Sequence, residues 1–387
     1  MKRMKKFLGL SLAVVLSLSM LAGCTSNNDT ETKAPEATEA ATEAGASNDA
    51  ASEFKIGFIY DGEVGDGGYT QAHDDARKEL VAATGVTTMY VEGSSSDSAA
   101  IEKICEDFIS NGCQMIIGTS FAFQDGMLVA AENNPDIIFE HFSGYYLADN
   151  YGNYFGKMYQ MRYLAGMVAG LQTETNKIGY VAAFAIPEVV RGINAFALGV
   201  QAVNPDATVE VSWTSTWNDS ALEKDAATAL ISKGCDVIAQ HQNTTGAQVA
   251  AEEAGVWGIG YNKDMAYAAP NAALTAPIWT TSAYLITRVE AAMNGTWTSG
   301  SYFGPASDNV VDLAPLTDNV KEGTAEIVEA KHKEIIANGN NDGIFVGPII
   351  DNAGNVILED GVAMGDGELL SPDTMSWLNE NVIGTVQ

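Results

Sequence analysis

Lys55-Ile-Gly-Phe-Ile59 and Lys177-Ile-Gly-Tyr-Val181 are two copies of one short apolar run, set 122 residues apart. The same offset joins Asp97-Ser98-Ala99 to Asp219-Ser220-Ala221, and Ile109-Ser-Asn-Gly-Cys113 to Ile231-Ser-Lys-Gly-Cys235. A constant spacing held through about 60 residues marks an internal duplication.

Each copy reads as strand, helix, strand, helix, strand. The apolar runs Ile56–Tyr60 and Ile178–Phe184 have the length and continuity of buried parallel strands. Ala72, Ala76 and Leu80 share one helical face in the first copy, as do Val190, Ile193, Ala197 and Val200 in the second. Second strands are expected at 87–91 and 208–213. They are followed by helices that Asp97 and Asp219 open as N-caps, with Ile101, Ile104 and Phe108 or Leu222, Ala226 and Leu230 facing inward. Third strands at 114–117 and 237–240 close the units. Alternating strands and helices give an α/β fold, each copy a doubly wound parallel sheet with helices on both faces. Ligands of such sheets bind beyond the carboxyl ends of the strands, so two facing lobes make one cleft. This is the periplasmic-binding-protein plan, which closes by hinge motion around a small solute. Gly65-Asp66-Gly67-Gly68 is not a dinucleotide fingerprint, and neither a P-loop nor a GxSxG elbow occurs.

The body is preceded by a different kind of sequence. Lys2, Arg3, Lys5 and Lys6 lead into an apolar run from Phe7 to Leu21, too short for a permanent span and suited to export. It ends Leu21-Ala22-Gly23-Cys24, which resembles a lipobox, with residues 1–23 as signal peptide and Cys24 as the lipidated residue. Residues 24–52 lack aromatics and large aliphatics and read as a solvated tether. The net charge of −30 disfavours nucleic acid and anionic lipid as partners, and lipid contact is expected through the anchor alone. Cys105, Cys113 and Cys235 remain, an odd number, with three buried thiols favoured over a disulfide.

Several motifs in order resemble one family. They are Ile186-Pro-Glu-Val-Val-Arg-Gly-Ile-Asn-Ala-Phe196, Val203-Asn-Pro-Asp206, Gly152-Asn-Tyr-Phe-Gly156, Tyr163-Leu-Ala-Gly166, Gly234-Cys-Asp-Val-Ile238, Val346-Gly-Pro-Ile-Ile-Asp351 and Met375-Ser-Trp-Leu378. Together they resemble the basic membrane protein family of solute-binding lipoproteins, over essentially the whole body. The resemblance implies a type I two-lobed fold and an extracytoplasmic receptor, working as a monomer, that delivers its cargo to the permease of an ATP-binding-cassette importer. It also implies a purine ligand, base or nucleoside, no cofactor, and a place on the outer face of the cell membrane.

A flat neutral purine is best held between aromatic faces with in-plane hydrogen bonds at its edges. By the resemblance, the first-lobe aromatic lies in Asp66-Gly67-Gly68-Tyr69-Thr70 and the second-lobe aromatic is Trp217, before Asn218-Asp219. Either ring also suits a core position. Family members that hold a ribose use an Asp and a Lys where this chain has Gly260 and Trp279. Both sugar-gripping charges are missing, which points to a free base, adenine first, with Trp279 filling the ribose space. Phe121, Glu188, Arg191, His241, Gln242 and Asn262 stand at strand ends or helix starts where base edges are read. Glu188 and Arg191 also suit pairing with each other. For His73 either a core or a cleft orientation is open, and His141 suits the interior.

No nucleophile context and no HExxH spacing points to catalysis or a metal. Nucleoside capture, sugar capture and a sensory receptor of the same fold stay as alternatives. The first lobe is expected over 53–150 and the second over 151–264, with 265–387 crossing back to complete both. A helix over 317–336 and a hairpin around Asp351-Asn-Ala-Gly354 are expected to be architectural.

Overall fold

Both copies of the apolar run become central strands. A computed structural model describes residues 53–386; the export signal, Cys24 and the tether lie outside the described residues. Lys55–Ile59 is flanked in parallel by Thr87–Val91 and Met115–Gly118, and Lys177–Ala182 by Thr208–Trp213 and Val237–His241. The first sheet continues through Ile138–Phe142 and Tyr151–Gly156 to Ser301–Gly304. The second continues through Trp257–Ile259 to Ala273–Thr275, with Val382–Ile383 on its opposite edge. Five strands of each sheet therefore follow one order, as a duplication requires.

The helices bury the faces that the spacing marks. Ala72, Ala76 and Leu80 are buried on Tyr69–Thr84, and Val190, Ile193, Ala197 and Val200 on Pro187–Val203. Asp97 accepts from the amide of Ala100, and Asp219 from those of Ala221 and Leu222. One position departs from expectation. Leu222 is 46% exposed, and its neighbour Glu223 turns inward, where Oε2 accepts from Thr244 Oγ1 at 2.7 Å. Burial pushes the Glu223 carboxyl up to about 7.

The expected lobe boundary is corrected. Tyr151–Gly156, assigned to the second lobe from the sequence, pairs with Ile138–Phe142 and Ser301–Gly304 in the first sheet. The chain leaves the first sheet after Gly156, returns after Thr275 and leaves again after Gly304. At these crossings Pro277–Trp279 pairs antiparallel with Val311–Leu313, and Asn262 bridges Ile278.

Two helices next to the crossings pack backbone to backbone. A methyl group on Gly166 would stand 2.0 Å from the Phe196 carbonyl oxygen, and one on Gly199 would stand 1.9 Å from that of Tyr163. Only glycine permits this approach of Met158–Gln172 to Pro187–Val203. The contact matters because these helices carry Glu188 and Arg191 to the cleft and Arg162 to the buried face behind Tyr261.

The late helix begins at Thr324 and ends at Asn338. It starts later than the charge pattern suggests because Asn319 is engaged, its Nδ2 donating to the carbonyls of Pro270 and Ala273. The hairpin forms, with Ile349–Ile350 against Val356–Leu358. Cys105, Cys113 and Cys235 are free and buried.

Candidate ligand-binding site

Strands of both sheets end at a narrow slot between the lobes. Its walls are Tyr69, Asp61, Ser120, Phe121 and Ser143 from the first lobe, facing Glu188, Trp217, Asn243 and Tyr261 from the second. The slot is nearly shut, with free volume of about 20 Å3, little more than a water molecule's worth. It adjoins a chamber of about 600 Å3 at Phe121, Ser143 and Glu188, and a crevice of about 500 Å3 at Asp61.

Local structure fixes each wall. Tyr69 begins the helix Tyr69–Thr84; its hydroxyl donates to the Thr119 carbonyl, and its ring lies edge-on to His73 at 4.6 Å. Its amide reaches across the cleft to the Asn243 carbonyl at 3.3 Å. Beside it Gly68 touches Asn243 so closely that a methyl group there would lie 1.8 Å from the same oxygen. Lys263 pairs with Asp75, and Tyr267 donates to the Gly67 carbonyl at 3.3 Å, so further bonds join the lobes nearby. Trp217, half-buried, leans on Phe184 at 5.6 Å and on His241 at 6.4 Å. Tyr261 is buried, and the guanidinium of Arg162 lies 3.7 Å from its ring centre.

Two carboxyl groups give the slot its electrostatics. Asp61 comes from the first lobe, and its Oδ1 is enclosed without a hydrogen-bond partner. Burial pushes its pKa up to about 6, with a hydrogen bond from Ser120 opposing the shift. Glu188 comes from the second lobe, and burial pushes it up to about 7 against the pull of Arg191 and Arg162. Its Oε1 stands 3.5 Å from Nε2 of His241. Arg191 does not bond Glu188; its Nη1 donates to the Leu369 carbonyl at 2.6 Å. Burial holds His241 well below its ordinary value, helped by Arg162 and Arg191, so it stays neutral. An enclosed acceptor between two aromatic walls suits a flat ligand with in-plane N–H groups.

Of the residues expected from the sequence, Tyr69, Phe121, Trp217 and Glu188 line the slot, and Arg191 lines the adjoining chamber. The others stand away from the slot. Asp66 borders only the outer crevice, and it is spent on the helix start, accepting from the amides of Gly68, Thr70 and Gln71. Thr70 is buried against Gly62. His241 is buried behind Trp217 and Tyr261. Gln242 donates to Thr214 Oγ1 at 2.6 Å. Asn262 donates to the Gln242 carbonyl at 3.1 Å and accepts from Trp279 Nε1 at 3.0 Å, so both its ends are used. Trp279 stands edge-on to Phe142 at 4.8 Å and Phe155 at 5.0 Å, within the crossing segments. Thr70, His241, Gln242, Asn262 and Trp279 line none of these three cavities; they support the walls. His73 and His141 are buried, and burial holds them at about 3 and about 4.

Sequence reasoning missed Asp61, Ser120, Ser143, Asn243 and Tyr261. Each stands one or two residues beyond a strand end, the position that the carboxyl-end rule selects. Among the described residues, no group of three His, Cys, Asp or Glu side chains is placed to hold a metal ion.

The profile of one family, Bmp, described as ABC transporter substrate-binding protein PnrA-like, matches residues 54–343. The chain belongs to the Bmp family. Two relatives bear on the ligand of this Bmp-family protein. A Haloferax volcanii protein carrying the provisional name ABC transporter glucose-binding protein is 41% identical over 281 residues, 72% of this chain and 71% of its own. A purine-binding protein of Brucella abortus is 39% identical over 322 residues, 82% of this chain and 90% of its own. Among solved structures, an ABC transporter solute-binding protein from Conexibacter woesei superposes with a TM-score of 0.61 at 22% identity, covering 74% of this chain and 97% of its own. The fold of this Bmp-family chain is thus the type I periplasmic-binding-protein fold, and its family is one of transport receptors rather than enzymes.

Proposed function

We propose that this ABC transporter substrate-binding protein captures a purine as the free base, adenine first. It would hold the base between Tyr69 and Trp217 and hand it to an importer permease. The observation that carries the reading is the enclosed, unpartnered Oδ1 of Asp61, a residue that lines the same slot as those two aromatic rings. A purine N–H satisfies that oxygen, whereas leaving it unpaired costs about 1–3 kcal/mol.

Position 260 favours a base over a nucleoside. A methyl group on Gly260 would already lie 3.0 Å from Met265 Cβ and 3.2 Å from Ala276 Cβ, so a sugar-gripping Asp has no room there. The Brucella purine-binding relative agrees with the reading. A hexose is the second reading, favoured by the name of the Haloferax relative.

Titration calorimetry with adenine, guanine, adenosine, guanosine and glucose separates these. Adenine is expected to bind tightest. Clearly tighter nucleoside binding would remove the free-base assignment, and binding of glucose alone would replace the purine.

The protein works at the outer face of the cell membrane, held through a lipid on Cys24, and as a monomer. A Cys24→Ser variant should leave the membrane fraction; retention there at the wild-type level would remove the anchor.

A further inference from the structure

We infer that the cargo is bipartite: a purine base carrying an apolar aryl or branched-alkyl substituent, with the base in the slot and the substituent in the adjoining chamber. This rests on the purine reading of the slot and adds what the second compartment takes. The chamber and the slot share Phe121, Ser143 and Glu188, so they are neighbours, and one ligand reaches both once the lobes part at these three residues. The chamber holds about 600 Å3 while the slot is nearly shut, so its space does not depend on the slot opening. A bare purine leaves it unfilled.

Its walls decide the chemistry. Phe155 and Phe303 come from the last two strands of the first sheet, Ile186 and Pro187 from the start of a second-lobe helix, and Leu370 from the C-terminal segment. Four of the polar residues among them, Asn153, Ser301, Tyr302 and Arg191, bond to the protein. Asn153 donates from Nδ2 to the Tyr146 carbonyl at 3.0 Å and accepts at Oδ1 from Ser301 Oγ at 2.7 Å. Tyr302 donates to Asp308 Oδ2 at 2.8 Å. Arg191, the one cation on the wall, bonds the Leu369 carbonyl and stands 5.2 Å from the Phe303 ring. Away from Glu188 and Ser143, at the edge shared with the slot, a ribose would set its hydroxyls against ring faces and against Asn153, Ser301 and Tyr302, whose bonds are already made, which costs free energy. An aryl or branched-alkyl group would bury its surface at no such cost.

The test is calorimetry on the full chain with adenine, N6-benzyladenine, 9-benzyladenine and adenosine, repeated on Leu370→Trp. Leu370 is 43% exposed, so the larger ring fills the chamber from its rim without disturbing a core, and an unchanged thermal midpoint checks this. At least one benzyl derivative is expected to bind ten times more tightly than adenine, and in Leu370→Trp that ratio should fall below two. If adenine binds and neither benzyl form improves on it, or adenosine outbinds both, the bipartite cargo is wrong and the purine reading survives. A benzyl advantage that persists in Leu370→Trp also overturns the assignment of the chamber. If no purine binds at all, both readings fall together.

Discussion

Trp217→Ala is expected to weaken adenine binding by roughly 5- to 150-fold, the equivalent of the about 1–3 kcal/mol that one base–aromatic stack contributes. Trp217 is the cleaner of the two aromatic tests. Its ring is half-buried and touches Phe184 and His241, so truncation removes a wall of the slot more than a piece of core. Tyr69 is less separable, because its hydroxyl holds Thr119 and its ring packs on His73. Calorimetry on the Trp217 variant, with its melting curve checked, gives the answer directly. A loss of less than twofold would mean that the base does not lie against this ring.

Asp61→Asn should cut adenine affinity and at the same time make the protein without ligand more stable at pH 7. The carboxylate form accepts a charge-assisted hydrogen bond worth about 1.5–3 kcal/mol, so its loss is expected to weaken binding roughly 10- to 150-fold. The stability effect has the opposite sign. Burial raises the folded pKa of Asp61 from 3.8 to about 6, so the folded chain holds this proton more tightly than the unfolded one. The stabilisation from protonation is complete below pH 4 and is lost as pH rises through about 6. At pH 7 the folded protein therefore carries the cost of a confined charge, which Asn removes. Ligand binding runs the other way, since it needs that charge. The part of the affinity that Asp61 supplies should level off above its folded value of about 6 and fall by up to tenfold per unit below it. Glu188, held at about 7, titrates nearby and contributes its own limb, which remains in Asp61→Asn while the limb near 6 disappears. Wild-type affinity that does not change between pH 5 and 8 would remove Asp61 from ligand contact.

The fold was legible because its signals are periodic and repeated. The offset between Lys55 and Lys177 predicted two equivalent units, and five matching strand positions in the sheets follow from it. The crossings were less legible. Tyr151–Gly156 is uniformly buried and apolar enough for either sheet, and only pairing with Ile138–Phe142 and Ser301–Gly304 decides which.

At the site, aromatic residues stood out and small polar ones did not. Tyr69 and Trp217 carry a local motif, whereas Asp61 is one acid among 50 until its place beyond Lys55–Ile59 is known. The opposite error fell on Gln242 and Asn262. Both stand near strand ends, yet Asn262 has both ends of its amide engaged and Gln242 spends its Nε2 on Thr214 inside the second lobe, leaving only Gln242 Oε1 without a partner, and sequence does not record which amide is already engaged.

The close meeting of Gly68 and Asn243 has a consequence for how affinity is set. The amide of Tyr69 and the carbonyl of Asn243 satisfy each other when the slot is shut, with no side chain between them. Every cargo must first displace this contact, so the chain acts as its own competitive inhibitor. If only one molecule in about a hundred stands open, the measured dissociation constant is about a hundred times the intrinsic one. The same self-pairing gives unloading a destination: once the cargo leaves, the lobes re-form a bond of their own, and recapture has to begin again from the shut arrangement.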